Sequence, residues 1–123
     1  MKAYILKIDT PLSNEYANEC ANTCDAVGLE WEYFEGWFNC TGRMAWCETG
    51  ILMKYYEPML EIDHPTATQK ANACSAGHGA IWKKIAEGPD KVGIVLEHDA
   101  VMFHNIDEEL IPEMTIVALG YKL

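Results

Sequence analysis

The sequence predicts an α/β fold, in which an open and mainly parallel sheet is covered by helices on both faces. The first 34 residues follow the order strand, helix, strand, which is the repeating unit of such sheets. Residues 92–96 form a continuous apolar run, and such runs are typical of a parallel strand that is buried on both faces. Two carboxylates, Glu97 and Asp99, follow this run, where open α/β sheets place their binding sites.

The first strand is predicted over residues 3–8, which are mostly apolar. Ser13 is a favourable N-cap residue, so we expect the next helix to run from about residue 14 to residue 27. Gly28 suits the position just past the last turn, where a left-handed backbone is common. Residues 29–34 alternate and predict the second strand, which a right-handed crossover should join to the first.

Residues 35–50 mix glycine and aromatic residues without a clear period. Stretches of this length inside compact domains are usually functional or locally structured. This one contains Arg43, the only arginine of the chain, which can pair with a phosphate, although a surface role fits it at least as well. Residues 51–60 predict a short helix that Pro58 ends.

A long helix is predicted over residues 67–87, because Thr66 and Gln69 have the spacing of a capping box. Gly77 and Gly79 lie in its middle and permit close packing against a sheet. The apolar run over residues 92–96 follows shortly after this helix.

One domain, residues 1–123, is expected, because a chain of 123 residues suits a single core and half of its residues are hydrophobic. Residues 92–96 are predicted to be its central strand, and residues 114–119 its last strand. An exposed last strand would offer its edge to a partner, so a homodimer is one candidate assembly.

The formal net charge of −10 argues against nucleic acid as a partner, because there is no basic stripe to neutralise phosphates. It argues equally against anionic membrane surfaces. No apolar run approaches the length of a membrane span, and the first residues do not suit a signal peptide. We therefore expect a cytoplasmic protein, which can still bind a nucleotide diphosphate if a cation bridges the two negative charges.

The five cysteines include no Cys-x-x-Cys pair and are odd in number, so free thiols are expected in a chain without a signal peptide. Their spacings do not match structural zinc sites. Cys20 and Cys24 lie one helical turn apart, where small thiols simply pack. Cys74 is expected to be buried and inert, because no neighbour in the sequence indicates a lowered thiol pKa.

Glu97 and Asp99 are the candidate metal ligands. Two carboxylates with one residue between them can both reach a hard cation, Mg²⁺ or Mn²⁺, which takes its other ligands from water and phosphates. The alternative is that the strand ends in polar residues only because the chain leaves the core there. His78 lies among apolar residues on the long helix, where a core histidine with one hydrogen bond is the default interpretation.

Cys74, His78 and Trp82 follow one another at intervals of four residues on this helix, and the next strand ends in Leu96 and the acidic stretch 97–99. This arrangement resembles glycosyltransferase family 25, the lipooligosaccharide-biosynthesis type. Further similar segments are residues 3–9, 34–36 and 116–120. The resemblance covers nearly all of this chain and about the first half of a typical member, and short relatives of this type occur in bacteriophage genomes.

The resemblance implies a three-layer, Rossmann-like sheet of the GT-A type, the nucleotide-diphospho-sugar transferase fold, truncated to about four strands with flanking helices. It also implies that Glu97 and Asp99 hold Mn²⁺ or Mg²⁺ against the diphosphate of a UDP-sugar donor. The implied reaction is transfer of a hexose, often galactose, to a saccharide or hydroxyl acceptor, generally with inversion. The ion would stabilise the departing nucleoside diphosphate as a Lewis acid.

His98 stands at the middle position of the acidic motif, so it either ligates the ion or faces away. With His78 and Arg43, it is a candidate cofactor-binding residue. An inverting transfer needs a general base, which is not assigned unless one of three later carboxylates supplies it. These three are Asp107, Glu108 and Glu109. The alternative function is a non-catalytic binding or structural module derived from a glycosyltransferase fold.

Overall fold

The computed structural model describes residues 1–51, 67–113 and 115 of the chain. Within these ranges, it contains three strands, three helices and one short 3₁₀ turn. The strands are β1 (Lys2–Lys7), β2 (Trp31–Glu35) and β3 (Gly93–Glu97), the helices are α1 (Pro11–Ala26), α2 (Gly42–Thr49) and α3 (Ala67–Glu87), and the 3₁₀ turn is Glu108–Leu110. The predicted α/β class is therefore confirmed.

The three described strands form one parallel sheet in the order β2-β1-β3. Ile5 of β1 lies opposite Tyr33 on one side and Leu96 on the other. Among these strands β1 is in the middle, whereas the sequence predicts that position for residues 92–96. The predicted last strand, residues 114–119, lies outside the described residues apart from Thr115. The sheet is compatible with a truncated Rossmann-like fold.

Two helices cover the two faces of the sheet and give it three layers. On one face, α1 packs against alternate residues of β1 and β3, and on the other face α3 packs against the residues between them. The buried residues of the first cluster are Ala3, Ile5, Ala17, Cys20, Ala21, Cys24, Leu29, Ile94 and Leu96. Those of the second are Tyr4, Leu6 and Ile81. This alternation follows from the pleat, which points successive side chains to opposite faces.

Helix α1 begins earlier than the sequence predicts. Its N-cap is Thr10, whose hydroxyl accepts a hydrogen bond from the Ser13 N–H at 3.2 Å. Pro11 follows at the first helical position, where its missing N–H costs no hydrogen bond. Ser13, predicted as the cap, is buried, and its Oγ accepts a hydrogen bond from the Ile8 N–H at 3.1 Å. Gly28 adopts the expected left-handed conformation, with φ of +72°.

The stretch over residues 35–50 contains a helix that its mixed composition conceals. Thr41 caps α2 by accepting a hydrogen bond from the Met44 N–H at 3.2 Å, and Gly50 ends it with φ of +69°. The helix predicted over residues 51–60 lies outside the described residues apart from Ile51. Both ends of α2 therefore follow ordinary capping chemistry, although the aromatic residues obscure its period.

Helix α3 spans the residues that the sequence predicts, although its expected cap, Thr66, lies outside the described residues. Gly77 brings the helix close to the sheet, since a Cβ there would lie 2.8 Å from Cδ1 of Leu6. Gly79 leaves room for Trp46 of α2 in the same way, since a Cβ there would lie 2.8 Å from Cζ3 of Trp46. None of the described helices combines the length and apolarity that a membrane crossing requires.

Glu32 of β2 connects three elements through its carboxylate. Lys2 of β1 lies 2.6 Å from it and Lys84 of α3 also pairs with it. The hydrogen bond from Lys2, followed by that from Lys84, lowers the pKa of Glu32 below its ordinary value of 4.5. A carboxylate whose pKa is lowered by folding stabilises the folded state fully at pH values above its unfolded-state pKa. This stabilisation is lost as the pH falls through the folded-state pKa.

We therefore expect Glu32→Gln to lower the melting temperature at neutral pH, with the difference from the wild type closing as the pH falls below about 4.5. Thermal unfolding followed by circular dichroism between pH 7 and pH 3 measures this difference. Glu15→Gln, on the exposed face of α1, is the matched control and should follow the wild type. A difference that stays constant over this range would contradict the linkage.

Candidate functional site

A cavity of about 330 Å³ opens at the carboxyl ends of the strands. We call it the main cavity. Its walls come from the ends of β1 and β3, the segment after β2 and the start of α3, and include Lys7, Trp37, Phe38, Lys70, Cys74, Glu97 and His98. The sequence predicts a binding site at this edge, because parallel strands end together there.

Glu97 ends β3 and points toward α3. Its Oε1 lies 3.1 Å from Nε2 of His78 and 3.7 Å from Sγ of Cys74. Cys74 and His78 are one helical turn apart, so they share the face of α3 that meets the end of β3. One ligand atom from each of these three residues lies within 4.8 Å of the other two.

His98 points the opposite way, toward α1. Its Nδ1 and the Oγ of Ser13 are hydrogen-bonded at 3.0 Å. The imidazole is stacked on Tyr16, with ring centroids 5.9 Å apart and an angle of 17° between the planes. This contact fixes one ring nitrogen against α1, and His98 also belongs to the wall of the main cavity.

Asp99 is separated from Glu97 by a turn in the backbone. The Ala100 N–H donates a hydrogen bond to the carbonyl oxygen of Glu97 at 2.9 Å, so the chain leaves the strand directly after Glu97. Asp99 then lines a second, smaller hollow with Tyr16 and Glu19, while Glu97 lines the main cavity. Alternation along a strand would have put the two carboxylates on one face. Their joint grip on one cation stays a prediction.

The side chains around Glu97 differ in how well they suit the Mn²⁺ or Mg²⁺ that the sequence predicts. Glu97 offers an exposed carboxylate on the main cavity, which suits such a hard ion. Its two close partners are a thiol and an imidazole, which suit softer ions. The site therefore fits a divalent cation through Glu97, and its other ligands determine which ion it favours.

Arg43 is the second residue of α2 and is exposed. Arg43 lines neither the main cavity nor the smaller hollow beside Asp99. The candidate bases lie at the wrong edge of the sheet: the Glu108 carboxylate lies 3.7 Å from the amino group of Met1, just before the start of β1. The side chain of Asp107 caps the 3₁₀ turn by accepting a hydrogen bond from the Glu109 N–H. The turn that carries these residues thus lies near the start of β1, while the main cavity lies at the opposite ends of the strands.

Cys74 is a residue of this region whose burial the sequence predicts wrongly. It is exposed and lines the main cavity, whereas a buried and inert thiol was expected. Partial burial of the sulfur, followed by the charge of Glu97, raises the pKa of the thiol. The signal that indicates this site is the four-residue interval between Cys74 and His78 on a helix that runs into a strand with an acidic end.

Comparison of the chain with protein-family models, with curated protein sequences and with solved structures found no match.

Proposed function

We propose that this domain binds a nucleotide-diphospho-sugar in the main cavity and transfers its hexose, with a divalent cation at Glu97, to a saccharide or hydroxyl acceptor. The observation that supports the proposal is the position of the main cavity. It lies beyond the carboxyl ends of parallel strands and carries a single carboxylate, Glu97, on its described wall. Open α/β sheets bind nucleotides at this edge.

The walls of the main cavity suit the parts of such a donor. Phe38 is half exposed and Trp37 is held by a hydrogen bond from its Nε1–H to Glu48, so both offer faces on which a base or sugar ring can stack. Lys7 forms an ion pair with Glu35 and donates a hydrogen bond to Asn14 at 2.9 Å. The carboxylate of Glu35 therefore offsets part of the attraction of Lys7 for a phosphate. A net charge of −10 therefore favours a cation that bridges the chain and a diphosphate.

A divalent cation bound at Glu97 would act as a Lewis acid and stabilise the departing nucleoside diphosphate. The acceptor hydroxyl must also lose a proton, and the hydrogen bond between Ser13 Oγ and His98 Nδ1 holds the His98 ring at the cavity wall. We assign to His98 Nε2 the role of proton acceptor, which requires Nδ1 to carry the hydrogen and donate it to Ser13 Oγ. A non-catalytic module would bind the donor in the same cavity without turnover.

The proposal is tested by thermal melting of the full chain with a panel of nucleotide sugars, with Mn²⁺ or Mg²⁺ and then with EDTA. A donor present at 100 times its Kd should stabilise the fold by about 2.7 kcal/mol in the presence of the cation. Glu97→Gln should lose this effect, and Glu87→Gln, at the exposed end of α3, should keep it. If none of the nucleotide sugars stabilises the fold in the presence of the cation, the proposal is contradicted.

Catalysis is measured in the same samples as release of nucleoside diphosphate in the presence of saccharide acceptors. His98→Gln should keep donor-dependent stabilisation and lose turnover, because it removes the proton acceptor and leaves Glu97 intact. Donor binding without release by the wild type would support the non-catalytic module.

A further inference from the structure

The cluster formed by Cys74, His78 and Glu97 has the dimensions of a metal site. A tetrahedral ion with bonds of roughly 2.3 Å to sulfur, 2.05 Å to nitrogen and 2.0 Å to oxygen separates its sulfur and oxygen ligands by about 3.5 Å and its nitrogen and oxygen ligands by about 3.3 Å. The observed separations are 3.7 Å from Cys74 Sγ to Glu97 Oε1 and 3.1 Å from His78 Nε2 to the same oxygen. All three ligand atoms lie within 4.8 Å of one another, so the cluster is compact enough for side-chain rotations to bring them around one ion.

The backbone that carries these side chains is held by packing. Cys74 and His78 lie on α3, which approaches β1 so closely that a Cβ on Gly77 would meet the Leu6 side chain at 2.8 and 3.0 Å. Glu97 is the last residue of β3, which pairs with β1 through Leu6. Both elements are thus fixed to the same central strand, and ligands placed on rigid elements need little reorganisation to bind.

The chemistry of the three donors selects the ion. Thiolate and imidazole prefer borderline ions such as Zn²⁺, whereas Mg²⁺ takes oxygen ligands almost exclusively. Three protein ligands leave the fourth tetrahedral position for water or substrate. Cys74 and Glu97 both line the main cavity, so this position is available to a ligand within it.

We infer that Cys74, His78 and Glu97 form a three-ligand site for a borderline transition-metal ion of the Zn²⁺ class, with its open position directed to the main cavity. This inference deepens the proposed function, on which the role of the ion toward a diphosphate rests, while the coordination itself depends on the three side chains alone. It replaces Asp99 as the partner of Glu97 by a thiol and an imidazole. An ion bound there would have tetrahedral coordination.

The test is a titration of the EDTA-treated full chain with Co²⁺ alone, followed by absorption spectroscopy. We expect one equivalent to bind, with the intense visible d–d bands of tetrahedral Co²⁺ and a near-ultraviolet thiolate-to-cobalt charge-transfer band, all removed by Zn²⁺. Cys74→Ser should abolish the charge-transfer band. Because the loss of groups that merely support a ligand weakens metal binding about 10–100-fold, loss of a direct ligand, as in His78→Gln, should weaken it at least as much.

Cys47→Ser is the matched control, because it removes another exposed cysteine, on α2. Asp99→Asn should also leave the spectrum unchanged, and circular dichroism confirms that each variant is folded. A charge-transfer band that survives Cys74→Ser, or no cobalt spectrum in the folded wild type, would overturn the inference. Since no nucleotide sugar is present, failure here leaves the donor-dependent melting shift intact, and failure of that shift leaves the cobalt spectrum intact.

Discussion

Replacing Ile5 with alanine is expected to lower the free energy of unfolding by about 2–5 kcal/mol. Ile5 is fully buried in the middle of β1, where it packs in the cluster between the sheet and α1. Truncation removes buried methyl groups and leaves a cavity, because strands pair with β1 on both sides and restrict its movement. Such a loss is a large part of the roughly 5–15 kcal/mol that stabilises a typical domain.

Urea unfolding followed by circular dichroism measures this loss. Ile5→Val, which removes one methylene, should cost only about 0.5–1.5 kcal/mol. Leu12→Ala is the surface control, because Leu12 is 58% exposed on α1. If Ile5→Ala costs no more than Leu12→Ala, the placement of β1 at the centre of the core is wrong.

Adding a single methyl group at Gly93 is expected to destabilise the fold by about 1–3 kcal/mol. A Cβ there would lie 2.4, 2.5 and 2.9 Å from three carbons of Ile85 on α3. Two of these carbons are attached directly to the Ile85 Cβ, so the whole side chain, and not only its tip, has to move. Alanine gains about 0.5–1 kcal/mol over glycine in backbone entropy, which offsets only part of this cost.

The contact is isolated by a double-mutant cycle of Gly93→Ala and Ile85→Ala, with free energies from urea unfolding. If the clash with Ile85 causes the loss, Gly93→Ala should become nearly neutral in the Ile85→Ala background, with a coupling energy of about 0.5–3 kcal/mol. An equal cost in both backgrounds would show that Ile85 does not limit the space at Gly93.

The edge of the sheet that holds the candidate site was predictable, and the surroundings of each candidate residue there were not. The apolar run 92–96 predicts a parallel strand with a site at its tip, and Glu97, which follows the run, lies on the main cavity there. The sequence pairs Asp99 with Glu97 because one residue separates the two carboxylates, and this spacing places both on one face only while the backbone stays extended. The hydrogen bond from the Ala100 N–H to Glu97 closes a turn instead, and a one-residue difference in where a strand ends decides which hollow a side chain reaches.

Cys74 shows a second limit of prediction. Its spacing from His78 follows from the helical period, but its proximity to Glu97 joins residues that are 23 positions apart. That contact depends on how closely α3 approaches the sheet, which Gly77 and Leu6 decide. The same sequence pattern on a helix is compatible with a buried or an exposed thiol. Which of the two occurs depends on how the helix packs against the sheet.

By itself, the sequence determined the α/β class, the extent of α3, the left-handed residue Gly28 and the strand that carries Glu97, because these depend on local periodicity and capping. Only the tertiary structure decided which described strand lies in the middle, which cavity Asp99 lines and which side chains surround Glu97. These features depend on contacts between residues distant in the chain, and the geometry of such contacts is set by how the helices pack on the sheet.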